Sequence, residues 1–322
     1  MKAAVILTPG SPGNFIIQER AVPVPKEGQV LIRVKAFGLN RSELMTRKGL
    51  SPDVIFPRVL GIECVGEVVT DYSGELKKGQ QVAAFMGGMG RDFDGSYAEY
   101  AVLPRAIINP FESHLPWEQL GAIPEMFQTV YGSLHLALKI LKDESILIRG
   151  GTSSIGMLAT QLAKNSGLTV IATTRNPGKT EMLTNNGADH VVIDDGLIIQ
   201  KVKAIAPNGV NKVLELIGTA TLKDSLACTA AGGTVCMTGM LSEQWSFQEF
   251  APMEYIPATV NLTVYDSGQF RVDQQSFQQF ITDVEAGKVK LSIGRVFRLE
   301  DIAAAHALMD SNSAGGKIVV LA

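Results

Sequence analysis

The fold of this chain is decided by one stretch, Ser145-Ile-Leu-Ile-Arg-Gly-Gly-Thr-Ser-Ser-Ile-Gly156. Its apolar run, Ile146 to Ile148, is typical of a strand that is buried on both faces. A glycine turn follows, and apolar residues then recur at helical spacing until Gly167, which predicts a helix that ends there. A strand, a tight turn and a helix bring free N–H groups and the positive end of a helix dipole together. This arrangement binds a pyrophosphate.

The glycine turn matches the dinucleotide-binding fingerprint only in part. With Gly-x-Gly-x-x-Gly placed on Gly151 and Gly156, Ser153 stands at the middle position. Serine is the next smallest residue after glycine and alanine, and its hydroxyl could donate to a phosphate. The predicted phosphate-binding residues are Gly151, Thr152, Ser153, Ser154, Ile155 and Gly156. A plain strand–helix turn without a ligand is the alternative at this point, because such turns are common.

The composition narrows the class of protein. The chain has 322 residues, of which 46% are hydrophobic and 19% charged, enough to bury a large core in two domains. A net charge of −3 gives no electrostatic reason to expect nucleic acid or an anionic membrane as a partner. No stretch approaches the length of a membrane span, and the apolar N-terminus is too short for a signal peptide. We therefore expect a soluble, cytoplasmic protein.

The pattern of predicted strands and helices changes twice along the chain. Residues 1–122 contain short alternating runs between prolines and no helix-length periodic segment before Pro116, which predicts a β-barrel-like or sandwich-like domain. Residues 123–265 alternate strands with helices, the first of which is predicted at Thr129–Leu141. This alternation predicts a parallel sheet covered on both faces, a doubly wound α/β domain. Residues 266–322 hold two amphipathic helices and a last strand, Lys317-Ile-Val-Val-Leu321. We expect this tail to return to the first domain, which is then discontinuous.

The end of the second strand of the doubly wound domain predicts which nucleotide binds. An acidic residue there would bond the ribose 2′-hydroxyl of NAD. The chain instead has Thr174, Arg175 and Lys179, with no carboxylate before Glu181. A guanidinium and an ammonium suit a 2′-phosphate, so these three residues predict NADP. The alternative, ordinary solvated charges, is weakened because cations oppose the dipole at a helix N-terminus.

Four further pieces of sequence carry a resemblance. They are Gly61-Ile-Glu-Cys-Val-Gly-Glu-Val68, Gly95-Ser-Tyr-Ala-Glu-Tyr100, Ala122-Ile-Pro-Glu-Met-Phe-Gln-Thr-Val-Tyr131 and Ala305-His-Ala-Leu-Met309 leading to Gly316-Lys-Ile-Val319. With these pieces in order around the glycine turn, the chain resembles the medium-chain dehydrogenase/reductase superfamily over essentially its whole length. The resemblance implies a Rossmann dinucleotide-binding domain and a discontinuous, β-rich GroES-like substrate domain.

Departures from the zinc-dependent members indicate the branch. Zinc alcohol dehydrogenases of this superfamily have cysteine where this chain has Asn40 and histidine where it has Ile62, so only Glu63 remains of that ligand set. A catalytic zinc needs about three protein ligands. The chain therefore resembles the zinc-free quinone oxidoreductase branch, which also includes enoyl-thioester and enone reductases. We expect no bound metal.

This branch implies hydride transfer from NADPH to a small, electron-poor molecule, with a quinone as the first candidate. An enone or enoyl thioester is the alternative acceptor, and a nucleotide-binding protein with little catalysis is the alternative class. Zinc-free relatives have an asparagine at the position of Asn40, beside the nicotinamide, and Thr129 and Tyr131 match the Thr-Ala-Tyr element of the family. Asn40 and Tyr131 are the predicted catalytic residues, unless Asn40 only forms a turn and Tyr131 only packs. Thr129, Ile217 and Gly239 complete the predicted cofactor site.

The strand Ala258-Thr-Val-Asn-Leu-Thr-Val264 comes last in the order of the parallel sheet. An exposed edge strand can pair with its twin across a two-fold axis. Relatives of this branch form such dimers. We therefore expect a homodimer, which a charge at Val260 should disrupt.

Overall fold

The computed structural model describes residues 1–322. The chain forms two compact units, unit 1 (Met1–Phe127 with Val272–Ala322) and unit 2 (Gln128–Arg271). The boundaries that the sequence suggested, after residues 122 and 265, lie a few residues earlier along the chain. All helices are too short or too polar to cross a lipid bilayer.

The N-terminal part of unit 1 is built mainly of strands. They are β1 Lys2–Ile6, β2 Phe15–Glu19, β3 Gln29–Gly38, β4 Arg58–Val59, β5 Glu63–Asp71, β6 Gln81–Phe85, β7 Tyr100–Pro104 and β8 Ile108–Pro110. The helices are α1 Arg41–Arg47, α2 Trp117–Leu120 and α3 Pro124–Tyr131, whose last four residues belong to unit 2. The sequence reasoning missed α1, because seven residues are too few for a periodic signal. A capping box, Asn40-x-x-Glu43, marks its start.

Unit 2 contains a six-stranded sheet and its helices. The elements are β9 Ser145–Arg149, α4 Ser154–Asn165, β10 Thr169–Thr174, α5 Thr180–Asn185, β11 His190–Ile193, α6 Ile199–Ile205, β12 Val210–Glu215, α7 Thr219–Ala227, β13 Thr229–Met237, α8 Pro252–Tyr255 and β14 Asn261–Val264. All strands are parallel, in the order β11-β10-β9-β12-β13-β14. This is the strand order of a dinucleotide-binding domain, so the predicted fold class is confirmed.

The C-terminal tail belongs to unit 1. It forms α9 Gln274–Glu285, β15 Ile293–Arg298, α10 Ile302–Asp310 and β16 Lys317–Leu321. Because β16 pairs antiparallel with β3, the tail joins the seven-stranded sheet β15-β16-β3-β5-β6-β8, in which β7 also pairs with β3. A second sheet has the order β2-β1-β4. The tail therefore returns to the β-rich domain, as the sequence predicted.

The parallel sheet positions the candidate cofactor site. Ile146, Leu147 and Ile148 of β9 are fully buried, as their sequence predicted, and β9 lies between β10 and β12. From β9 the chain first adds β10 and β11 on one side of the sheet and then crosses over to add β12, β13 and β14 on the other side. Ligands of doubly wound sheets bind at the carboxyl ends of strands at such a switch point.

The helix predicted at residues 129–141 differs from the observed one. α3 begins earlier, and the chain then continues as a π-helix over Gly132–Ala137. A Cβ on Gly132 would lie 2.0 Å from the hydroxyl oxygen of Tyr265, so glycine is needed for this contact. The Tyr265 hydroxyl donates to the carbonyl of Gln128 at 3.0 Å. Packing with Tyr265 thus accompanies the change of helix type, and π-helical turns occur frequently at functional sites.

Candidate functional site

The glycine turn between β9 and α4 depends on close backbone packing. Gly150 has a φ of +91°, in the left-handed region that favours glycine. A Cβ on Gly156 would lie 2.4 Å from the Gly150 carbonyl oxygen, so Gly156 lets the helix begin directly against the turn. The Ser153 hydroxyl accepts from the Gly156 N–H at 3.0 Å and donates to the Gly150 carbonyl at 2.9 Å. Because its hydrogen is donated within the turn, Ser153 acts as the N-cap of α4 rather than as a phosphate donor.

Three backbone N–H groups at the start of α4 have no acceptor within the chain. They belong to Thr152, Ser154 and Ile155. The N–H of Gly151, in contrast, donates to the carbonyl of Thr173 at 3.1 Å. The first N–H groups of a helix lack intrahelical partners, and the dipole of this twelve-residue helix favours an anion there. The turn therefore offers a pyrophosphate the free backbone N–H groups that the sequence also suggested, whereas the hydroxyl of Ser153 is engaged within the turn.

Two cations follow β10. The strand ends at Thr174, whose hydroxyl accepts from the N–H of Asn176 at 3.1 Å. Arg175 is exposed and Lys179 is partly exposed, and neither side chain forms an ion pair or hydrogen bond within the chain. Both charges are therefore free to bind an anion such as a 2′-phosphate.

The loops after β12 and β13 lie side by side. The side-chain carboxylate of Glu215 accepts from the N–H of Ile217 at 2.7 Å. The backbone carbonyl of Glu215 accepts from the N–H of Gly239 at 3.1 Å. A Cβ on Gly239 would lie 2.6 Å from the carbonyl oxygen of Leu216, and a Cβ on Gly150 would lie 3.2 Å from Ile217 Cδ1. The sheet thus brings the glycine turn, Ile217 and Gly239 together at its carboxyl edge.

Thr129 is tied to this edge through one side chain that the sequence reasoning missed. The hydroxyl of Ser133 donates to the carbonyl of Thr129 at 2.6 Å and lies 2.9 Å from the hydroxyl of Thr238. Thr238 directly precedes Gly239. Thr129 and Gly239, which are 110 positions apart by their numbers, are therefore held in one network.

Tyr131 stacks on a neighbouring ring. Its centroid lies 4.2 Å from that of His135, with 41° between the ring planes. Burial lowers the pKa of His135, so this imidazole is neutral near pH 7. The catalytic role of Tyr131 stays a prediction.

Asn40, in unit 1, lies in a buried polar cluster. Its Oδ1 accepts from Lys317 Nζ at 2.5 Å, and its Nδ2 donates to Glu63 Oε1 at 2.8 Å. Lys317 Nζ also contacts Glu63 Oε1 at 2.7 Å. Glu63 is fully buried and Lys317 is 3% exposed. The amide of Asn40 is therefore held in one orientation by an ion pair.

Glu43 completes this cluster. Its carboxylate accepts from the backbone N–H of Asn40 at 3.1 Å and from that of Ile62 at 3.2 Å. Burial raises the pKa of Glu43 to about 7, and the negative charge of Glu63 adds to the shift, whereas Lys317 opposes it. Near pH 7 the cluster thus holds a carboxyl group that can gain or lose a proton.

The residues of this cluster do not fit a zinc ion. Ile62 is apolar and buried, and Asn40 offers only an amide. Glu63 Oε1 already contacts the ammonium of Lys317, which carries the positive charge that a metal would bring. No group of three or more His, Cys, Asp or Glu residues in the structure could hold a metal ion.

Sequence reasoning missed Glu43 and Lys317 as members of this cluster. The capping box was a readable signal for Glu43. Lys317 stands in a family motif, Gly316-Lys-Ile-Val319, but nothing near it in sequence reveals its partners, since they lie more than 250 positions away.

Two family models match the chain. One, described as an alcohol dehydrogenase GroES-like domain, matches residues 26–113. The other, described as a zinc-binding dehydrogenase, matches residues 186–320. Together they span parts of both units.

Known proteins resemble the chain along its full length. A quinone oxidoreductase of Homo sapiens is 27% identical, with 100% of this chain and 98% of that protein covered. A 2-haloacrylate reductase of Burkholderia sp is also 27% identical, with 99% and 98% covered. The crystal structure of an Escherichia coli quinone oxidoreductase complexed with NADPH has a TM-score of 0.90 at 21% identity, with 100% of both chains covered. The fold, the paired family models and these full-length relatives lead to one assignment: the chain belongs to the medium-chain dehydrogenase/reductase superfamily.

Proposed function

We propose that the chain is an NADPH-dependent oxidoreductase that transfers a hydride to a quinone or a related electron-poor small molecule without a metal ion. The observation that carries the proposal is made at the carboxyl edge of the parallel sheet. There, α4 follows β9 and begins with three free N–H groups, and two unpaired cations follow the neighbouring strand β10. Quinone oxidoreductases among the relatives support the reaction class.

The chain offers a distinct group for each charged part of the cofactor. The N–H groups of Thr152, Ser154 and Ile155 would hold the pyrophosphate, and Arg175 with Lys179 would hold the 2′-phosphate. NADPH, when bound, supplies the hydride. The protein then has to orient and shield the reactants.

Three residues are the proposed contacts of the nicotinamide and the acceptor: Asn40, Thr129 and Tyr131. Asn40 has its carbonyl oxygen on Lys317 and an amide hydrogen on Glu63, so its orientation is fixed before any ligand binds. Thr129 is held through Ser133. Side chains that are already held in place lower the entropy that is lost when the reactants are positioned for reaction.

Metal independence is part of the proposal. Because Asn40 and Ile62 replace the zinc ligands and Lys317 contacts Glu63, we expect full activity in a chelator and no stoichiometric zinc by elemental analysis. One zinc per chain, lost together with activity, would contradict this.

A carbon–carbon double bond is the second candidate acceptor, favoured by the 2-haloacrylate reductase among the relatives. Its reduction requires a proton on carbon, whereas a reduced quinone takes its protons on oxygen from water. NADPH oxidation measured with quinones, enones and an enoyl thioester separates the two. Turnover with quinones alone supports the first candidate, and turnover with enones or thioesters alone supports the second. NADPH binding without turnover would indicate the third, a nucleotide-binding role.

We also propose a homodimer through β14. This strand pairs only with β13, so its other edge has no partner within the chain, and Val264 is 63% exposed. Val260 is 8% exposed and packs in the core of unit 2, so the charge suggested from sequence at that position would test folding instead. Val264→Lys is the sharper change. Light scattering should give a dimer for the wild type and a monomer for Val264→Lys, and an unchanged dimer would contradict the interface.

A further inference from the structure

The buried polar cluster of unit 1, formed by Asn40, Glu43, Glu63 and Lys317, contains a lysine where burial is unfavourable. Lysine is almost never fully buried unless it is paired, yet Lys317 is 3% exposed. It is the first residue of β16, in the sheet that also contains β3 and β5.

The ammonium has the surroundings of a bound cation. Two oxygens from separate parts of the chain contact it: Asn40 Oδ1 at 2.5 Å and Glu63 Oε1 at 2.7 Å. Those two ligands are themselves joined, since Asn40 Nδ2 donates to Glu63 Oε1. Carboxylate and amide oxygens are also the ligands of hard metal ions.

Gly38 makes room for this cation. A Cβ at that position would lie 2.3 Å from Lys317 Cε and 2.5 Å from Glu63 Oε1. Glycine weakens a strand interior and often marks a place where another group approaches closely. The end of β3 is therefore shaped to admit the lysine side chain.

The charges of the cluster require a cation. Glu43 and Glu63 are both buried, and the ammonium of Lys317 contacts Glu63 and lowers the electrostatic cost of the charge on Glu43. We propose that the ammonium of Lys317 fills the cation position of this cluster, which a divalent metal ion would take in its absence, and that it fixes the Asn40 amide through its carbonyl oxygen. This inference does not depend on the acceptor or on NADPH.

Removing the ammonium should leave a vacant site with oxygen ligands. Breaking a buried pair by removing one partner is strongly destabilising, because the other charge stays buried. We expect Lys317→Ala to unfold on the order of 10 °C below the wild type in a chelator. Millimolar Mn²⁺ should restore at least about half of that loss by binding the freed oxygens. Wild-type protein should not respond to Mn²⁺.

The chain offers a matched control. Lys212 pairs with Glu144 at 3.5 Å in unit 2 and has a side chain that is 12% exposed. Lys212→Ala removes a similar ammonium from a single carboxylate, so its unfolding temperature should not respond to Mn²⁺. Scanning calorimetry and isothermal titration with Mn²⁺ on the three proteins measure both effects. An undiminished unfolding temperature of Lys317→Ala in chelator, or an equal Mn²⁺ effect in both variants, would overturn the proposal.

A charge-balanced variant covers the case in which Lys317→Ala does not fold. Lys317→Met with Glu63→Gln removes both charges and keeps both side-chain shapes. It should be more stable than Lys317→Met alone and should not bind Mn²⁺. If the double variant is as unstable as the single one, the lysine contributes packing rather than charge, and the proposal is wrong.

Discussion

Two buried cations, Arg149 in unit 2 and Lys317 in unit 1, are held in different ways. In unit 2 the guanidinium of Arg149 is fully buried and bonds to Asp194 at 2.9 and 3.0 Å and to Asp224 at 2.7 Å. Further bonds to Ser225 and to backbone carbonyls give every N–H of Arg149 an acceptor. In unit 1 the ammonium of Lys317 contacts only one carboxylate and one amide.

The pKa values of carboxyl groups in the two clusters shift in opposite directions. Burial opposes ionisation of Asp194, but the hydrogen bonds and charge of Arg149 outweigh it, so the pKa of Asp194 is lowered. Burial and the charge of Glu63 raise the pKa of Glu43 to about 7, because the opposing effect of the Lys317 ammonium offsets this rise only in part. A planar fork of five donors satisfies several carboxylates at once, whereas an ammonium acts as a point charge. The Arg149 cluster is therefore fixed, and the Lys317 cluster can change its protonation.

The largest expected effect tests the Arg149 cluster. Arg149→Met should lower the free energy of unfolding by about 3–5 kcal/mol, because Asp194 and Asp224 then stay buried without a cation. Urea denaturation followed by circular dichroism measures the loss. Mn²⁺ should not restore it, because the acceptors of Arg149 are arranged around a planar group. If Mn²⁺ restored the stability of Arg149→Met as much as that of Lys317→Ala, the two clusters would not differ in the way described.

The next effect concerns the pH response of the Lys317 cluster. In the folded protein the pKa of Glu43 is above its ordinary value of 4.5, so the native state binds more protons between about pH 4.5 and 7. Stability should therefore fall as the pH rises through this window. Since Glu43→Gln cannot titrate, wild type should lose about 2–3 kcal/mol more than the variant across the window. Urea unfolding of both proteins over the window tests this, and parallel curves would show that Glu43 does not titrate there.

The smallest effect on stability, but a large one on binding, concerns the exposed cations. Arg175 and Lys179 have no partners within the chain, in contrast to Arg149. Arg175→Ala with Lys179→Ala should leave the unfolding temperature nearly unchanged and weaken NADPH binding about 10²-fold. NADH, which lacks the 2′-phosphate, should bind as before. Fluorescence titration of both cofactors measures this.

The wild-type preference for NADPH should also shrink as salt rises, because exposed charges are screened. Equal losses for the two cofactors in the double variant would mean that Arg175 and Lys179 only support the fold. A wild-type preference for NADH would contradict the NADP assignment.

Local sequence predicted the glycine turn and its strand, because the requirements of a turn lie within a few residues. The role of Ser153 differed, since its hydroxyl had two local partners, Gly150 and Gly156, that compete with any phosphate. The helix after Thr129 also differed. Its π-helical part packs against Tyr265, more than 130 positions away, and no local pattern encodes such a contact.

The sequence by itself determined the fold class and the superfamily, because strands, helices and turns obey short-range periodicity and backbone sterics. It also predicted which residues form the phosphate end of the cofactor site. It further predicted that no zinc binds, because Asn40 and Ile62 stand where zinc-dependent relatives have a cysteine and a histidine. Only the tertiary structure decided what stands there instead. Lys317 reaches Asn40 and Glu63 because β16 pairs with β3 and Gly38 leaves room between them. Such a cluster depends on strand pairing between distant segments, and pairing of this kind is settled only when the whole chain folds.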